Sequence, residues 1–354
     1  MSENGSGPNA DGPVKVRFRE AQIEMSHGAG GKASRRLVDG LFRPLLLNGS
    51  AHALNDAAVV DIDGRSIAIT TDSFVVTPLI FAGGSIGDLA VNGSVNDLAV
   101  SGARATALVC TFVLEAGLST AILEREVRAM GEAARKAGVA IVGGDTKVVE
   151  HGKVDQMYIT TTAIGSLLPG ASLTPRSVRS GDKIILSGPI GDHGIAILLA
   201  RGELDLEAQL SSDTRSVYPL MEALIQAVGA GLRWARDPTR GGVATALNEL
   251  ALDTGLSVHL VEETIPVRDE VRGACELLGL DPLHIANEGQ FLSVVSPECA
   301  DRALAALRAV PGGEAAQLIG DVRDEPATAV LVSTRYGGSR IVDMLVGDPL
   351  PRIC

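Results

Sequence analysis

Residues 123–148 read LEREVRAMGEAARKAGVAIVGGDTKV, and this stretch decides the fold. Over 123–137, apolar side chains recur at helical spacing among charged ones, which predicts an amphipathic helix. Gly138 is its stop, because helices commonly end on a glycine in the left-handed conformation. The apolar run at 140–142 then predicts a strand leading into a turn at Gly143-Gly144-Asp145. Further strand-like runs at 66–71 (SIAITT), 105–114 (ATALVCTFVL) and 156–164 surround the helix, so the first half reads as α/β.

Further along the chain, the pattern lapses at 167–181 into LLPGASLTPRSVRSG, a Pro, Ser and Gly stretch expected at a domain boundary. The second half restarts with KIILS at 183–187. Helical patterns (195–201, 217–228, 244–254, 271–278, 299–309) then alternate with strands (257–261, 291–295, 329–334), as in an α/β or α+β domain. The expected division is a disordered leader at 1–16, domains at 17–166 and 167–346, and a mobile tail at 347–354. That tail, GDPLPRIC, holds one glycine and two prolines. At roughly 3.3 Å per residue it could carry its last residue some 25 Å. A nine-residue echo sets Asp88 and Asp97 about half a helical turn apart, so the two should not share a site.

The chain has 354 residues, 45% of them hydrophobic and 21% charged, a balance that excludes a disordered or fibrous protein. Its 31 basic and 43 acidic residues leave a net charge of −12, which opposes binding to nucleic acid or anionic membranes. The leader has neither a basic start nor an apolar run, and no apolar stretch reaches the roughly 18 residues of a membrane span, so a cytoplasmic protein is expected. Forty-one glycines against ten aromatics favour phosphate handling over base stacking. The four cysteines are widely spaced without a zinc pattern. Cys110, Cys275 and Cys299 read as packing residues, whereas Cys354 ends the chain, where a packing role is unexpected.

Acidic residues gather at turn-like sites of the first half: Asp56 after Asn55, Asp72 after SIAITT, Asp97, and Asp145 in GGDTKV. Each alone reads as a turn or cap residue; together they suit a hard cation carrying phosphates. The loop Ser26-His27-Gly28-Ala29-Gly30-Gly31-Lys32 could cradle phosphate at a helix start or simply be a flexible turn, and it lacks Walker A spacing. Gly144 would let backbone approach a ligand, and Lys147 is either a phosphate contact or a surface lysine. Glu288, between Asn287 and Gly289 before FLSVV, is placed to act as a general base or to stand as an exposed acid.

Several of these motifs together resemble the HypE family of hydrogenase maturation factors: GGDTKV, TTDSFVVTPLIF, DLAVNGSVNDLAVSGA, SGPIGDHGIAIL, RDPTRGGVATALNELA, IPVRDEV, LGLDPLHIANEG and PRIC. The resemblance runs from about His27 to Cys354. Its wider superfamily holds aminoimidazole ribonucleotide synthetase, selenophosphate synthetase and thiamine monophosphate kinase. It implies an N-terminal α/β domain whose strands pair across a homodimer, a C-terminal α+β domain with a mixed sheet, and ATP between the halves near the dimer interface.

By resemblance, a carbamoyl group received from HypF would ride on Cys354 as a thiocarbamate and be dehydrated with ATP and Mg²⁺ to a thiocyanate. Its cyanide would then pass to iron on the HypC–HypD complex for [NiFe]-hydrogenase. Asp56, Asp72, Asp97 and Asp145 would hold Mg·ATP, the loop from Gly28 through Gly30 to Gly31 would close over phosphates, Asp237 and Arg240 would organise the second-domain wall, and Glu288 assisted by Lys147 would be the base. Superfamily members often carry Asp-Asp where this chain has Asn55-Asp56, one carboxylate fewer. The alternatives are another ATP-dependent superfamily enzyme, or a non-catalytic nucleotide-gated docking protein. A selenophosphate synthetase is disfavoured because it needs a reactive Cys or selenocysteine near the amino terminus, and the first cysteine here is Cys110.

Overall fold

The structure, a computed structural model, describes residues 17–47, 55–202, 209–347 and 350–354; the expected leader at 1–16 and two residues of the expected tail lie outside these. Residues 17–47 contain α1 (Lys32–Leu37) and α2 (Arg43–Leu46), joined by a π-helical turn. Although read as part of the first domain, this segment rides on the second half. Lys32 N–H donates to the Leu345 carbonyl at 3.0 Å, Arg35 pairs with Asp253 at 3.4 Å, and Arg240 donates to the Gly28 carbonyl at 2.9 Å.

The first half continues with β1 (Ala58–Ile62), β2 (Arg65–Phe74), the short pair β3 (Ile80–Phe81) and β4 (Gly84–Ser85), and α3 (Ile86–Val100). Next come β5 (Ala103–Glu115), α4 (Thr120–Ala137), β6 (Ala140–Val149) and β7 (Met157–Leu167). Five strands form one sheet in the order β1-β2-β7-β5-β6, antiparallel except for β5 and β6. Parallel neighbours need a crossover, and α4 supplies it. It ends, as the sequence predicts, on Gly138 at φ +68°. Both helices cover one face of the sheet, and the other face stands open, with Val109 and Ile164 each 42% exposed. α3 is buried almost all round, which erases the amphipathic period that announced α4.

The turn expected at Gly143-Gly144-Asp145 is instead the middle of the edge strand β6. Gly144 is required there by the neighbouring strand: a Cβ would sit 1.8 Å from the Cys110 carbonyl oxygen of β5.

The second half comprises β8 (Lys183–Leu186), α5 (Asp192–Ala200), α6 (Tyr218–Val228), β9 (Leu232–Arg236), α7 (Gly242–Thr254), β10 (Ser257–Val261) and α8 (Asp269–Leu278). It ends with β11 (Leu292–Val295), α9 (Ala300–Arg308), β12 (Gln317–Arg323), β13 (Val330–Ser333) and β14 (Ser339–Ile341). Its seven-stranded mixed sheet runs β14-β13-β10-β12-β8-β11-β9, with β10 and β13 parallel. Apolar clusters fill both faces of this sheet. A third cluster joins the first-half core to α5, α8 and the chain end.

The tail corrects an expectation. Residues 350–354 are docked: Val75 N–H donates to the Cys354 carbonyl at 3.0 Å and Thr77 N–H to the Arg352 carbonyl at 3.3 Å. Leu350, Ile353 and Cys354 are buried in the first-half core. Backbone pairing and three apolar side chains outweigh the chain-end entropy that a Pro- and Gly-rich segment would otherwise keep. Cys354 is thus packed in this state. Cys275 and Cys299 are buried as expected, and Cys110 is half-buried on β5.

Candidate active site

Three carboxylates converge where the halves meet. Asp56 precedes β1, Asp97 lies on the last turn of α3, and Asp237 follows β9. One carboxylate oxygen from each lies within 4.8 Å of the others. Burial raises the Asp97 carboxyl well above the ordinary range, and Asp237, Asp56 and Asp72 add to it; Thr70, whose hydroxyl donates to Asp97 at 2.6 Å, opposes. Burial, with Asp56, pushes Asp237 up to about 8. Arg236 is the internal counter-charge, 3.2 Å from Asp56 and 2.7 Å from Glu249. Asp72 on β2 belongs to the same field, raised by burial and opposed by Arg240. Crowded hard oxygen donors without matching positive charge fit a divalent cation such as Mg²⁺.

Beside them, residues 27–34 and 236–249 enclose a cavity of about 300 Å³ lined by Gly28, Gly30, Asp237, Arg240 and Thr245 among others. Gly30 sits at φ +76°, and a Cβ there would come within 2.7 Å of the Arg240 carbonyl oxygen, so the loop lies directly against the 237–242 turn. Gly31 packs on Leu345 instead and does not line the cavity.

Glu288 is buried, and its Oε1 has no hydrogen-bond partner among the described residues. Its loop is held rigidly. The Glu288 and Gly289 N–H groups donate to the two Asp213 oxygens at 3.0 and 3.1 Å, and Asn287 donates to the Pro238 carbonyl at 3.0 Å. Burial first, then Asp237, Asp72 and Asp213, holds the Glu288 carboxyl well above its usual range. Its reading as an exposed acid is therefore excluded.

Asp56, Asp72, Asp97, Asp237, Arg240 and Glu288 are brought together by the fold. Asp145 and Lys147 are not: they pair with each other at 2.6 Å on exposed β6. Three strand spacings separate β6 from β2, about 14 Å. Asp88 faces away, hydrogen-bonded to Ser85, as its half-turn offset from Asp97 implied. Sequence reasoning missed Asp237 as a member of this carboxylate cluster, although an acid directly after a strand is the same signal that singled out Asp72. Arg236, Glu249 and Asp213 have no comparable local mark.

Comparison with known proteins bears on this geometry. The N-terminal domain model of AIR synthase related proteins matches residues 54–167, and the C-terminal domain model matches 179–333. Fold and site therefore define an AIR synthase related protein, with its two domains in the order found here. The chain is 46% identical over 340 residues to carbamoyl dehydratase HypE of Bradyrhizobium diazoefficiens, covering 96% of this chain and 98% of that protein. A HypE structure in complex with ATP superimposes with a TM-score of 0.79 at 45% identity, covering 94% of this chain and all of that one. HypE from a HypE–HypF complex gives 0.83 at 42% identity, covering 87% and 99%. The chain belongs to the HypE family, the carbamoyl dehydratases of hydrogenase maturation. Membership decides against the selenophosphate synthetase-like and thiamine monophosphate kinase-like alternatives.

Proposed function

We propose that this chain dehydrates a carbamoyl group carried as a thiocarbamate on Cys354 to a thiocyanate, coupled to conversion of ATP to ADP and phosphate. It would take that group from HypF and yield the cyanide to a HypC–HypD complex for the iron of [NiFe]-hydrogenase. The observation that carries this reading is the docked tail. Its last residue pairs with Val75, three residues after Asp72 on the strand that enters the acidic site.

In this reading Asp56, Asp97 and Asp237, with Asp72 beside them, hold Mg²⁺, while Gly28, Gly30 and Arg240 line the phosphate side of the cavity. Bound there, Mg·ATP supplies the phosphoryl group that makes the thiocarbamate oxygen a leaving group. The chain's own task is to remove two N–H protons. The buried, unpartnered Glu288 oxygen suits that task, because a carboxyl raised towards working pH is a stronger base than an exposed one. As the C≡N bond forms, both protons leave nitrogen and the former carbonyl oxygen departs with phosphate, so the atoms balance.

The open sheet face, which exposes Val109 and Ile164 beside the hydroxyl pairs Thr71–Thr162 and Ser73–Thr160, supports a homodimer. Asp145 and Lys147, too far from the acids within one chain, would then join the site across the interface. Four cysteines, none of them in a disulfide among the described residues, suit a reducing, cytoplasmic setting.

The test is mass analysis of the C-terminal peptide after incubation with HypF, carbamoyl phosphate, Mg²⁺ and ATP. A carbamoyl and then a cyano adduct on Cys354 is expected, and none on Cys354→Ala. A nucleotide-gated docking protein would show no adduct at all. Cyanide formation by Cys354→Ala would overturn the mechanism.

A further inference from the structure

His193, in the first turn of α5, touches neither the acid cluster nor the cavity, yet it is fully buried. Its Nε2 lies 2.8 Å from the Ile353 carbonyl oxygen and its Nδ1 2.8 Å from Ser212 Oγ. A carbonyl can only accept, so the proton sits on Nε2, and Nδ1 accepts from the Ser212 hydroxyl. Ser212 Oγ in turn accepts from Thr214 N–H at 3.1 Å, which leaves its own proton for the imidazole. Phe81 meets the ring edge-on, with centroids 5.7 Å apart, and limits its tilt. The ring is thus fixed from two sides, and its single N–H donor is bonded to the residue before Cys354.

The neighbour of Ser212 completes the arrangement. Asp213 accepts from both Glu288 and Gly289 N–H. Two consecutive residues therefore hold the two ends of the proposed chemistry, Ser212 through His193 the tail and Asp213 the base. Arg201, at the end of α5, adds a second anchor, its guanidinium donating to the Thr77 and Arg352 carbonyls at 3.0 Å each.

We propose that His193, oriented by Ser212, is a positioning residue that fixes Ile353, and with it the Cys354 sulfur, relative to the Glu288 loop held by Asp213. The inference rests on the reading that Cys354 carries the substrate. Cys354 is buried in the docked tail, so on that reading loading by HypF would need the tail released and dehydration would need it docked, and the contact would act on only one of the two steps.

The experiment compares His193→Ala and His193→Gln with the unaltered protein in three measurements: hydrogen exchange at the Val75 and Thr77 amides, loading of Cys354 by HypF, and single-turnover conversion of carbamoyl to cyano adduct. Loss of one buried hydrogen bond should speed exchange and slow conversion about tenfold each in His193→Ala, with loading unchanged. His193→Gln, whose amide N–H can reach the same carbonyl, should restore both. Unchanged exchange and conversion in His193→Ala overturn the proposal. So does an equal loss of loading and conversion in both variants, which marks a folding role. If exchange responds but the unaltered protein forms no cyano adduct, the latch stands and the dehydratase reading fails.

Discussion

Asp97 and Asp237 are ordinary acids made unusual by their neighbours. Each was singled out in the sequence, but only contact between the halves makes them one site with Asp56. Replacing Asp237 by Asn should weaken Mg²⁺-dependent ATP binding about 100-fold, measured by calorimetry. The same change should leave the metal-free protein no less stable in thermal unfolding, since it removes one of three crowded carboxylates. His193 carries a pH prediction. Burial holds its imidazole down to about 4, against 6.5 when exposed. Between those values the unfolded chain binds a proton that the native chain does not, so stability falls by about 3 kcal/mol as pH drops from 6.5 to 4. Asp213, raised by burial to about 6, works in the opposite direction over part of that window. The readout is therefore a difference: the Tm of the unaltered protein should fall relative to that of His193→Gln between pH 6.5 and 4.

At the scale of elements, α4 and β8 are legible because each presents an uninterrupted pattern, one amphipathic and one apolar. By contrast α3, which supplies Asp97, is small-residue and buried on every side, so it has no polar face to announce it. β6 shows the opposite failure. Its Gly143-Gly144 pair carries the local mark of a turn, yet strand pairing overrides it, because the close approach of β5 leaves no room for a Cβ at one of the two. Gly144→Ala should therefore cost about 3 kcal/mol in denaturant unfolding. At Gly143 a Cβ would meet nothing within 4 Å, so Gly143→Ala should be close to neutral. Equal effects at the two positions would contradict this account of β6.

At the scale of the whole molecule, the open face of the first sheet and the docked tail are the two features with consequences. If two copies pair through that face, Val109→Asp should place a charge in the interface and convert the dimer to monomer by light scattering. Nucleotide turnover should fall with it, because Asp145 and Lys147 would lose the neighbouring site. A monomer in the unaltered protein would remove the basis for assigning Lys147 any part in the chemistry. Residues 17–47 act at this scale too, since α1 clamps the glycine loop onto the second half and closes one wall of the cavity.

Local pattern alone was enough for the two-domain α/β and α+β plan and for most helices and strands of the second half, and it singled out Cys354, Glu288 and the aspartates as candidates. These are properties of residue type and spacing, which act over a few neighbours in the chain. Convergence belongs to the tertiary structure: Asp237 beside Asp56 and Asp97, Asp145 and Lys147 held apart from them, Ser212-Asp213 tying the tail to the Glu288 loop, and the terminal cysteine docked rather than free. Contacts between residues tens to hundreds of positions apart depend on how sheets and helices pack, and no periodicity along the chain encodes them.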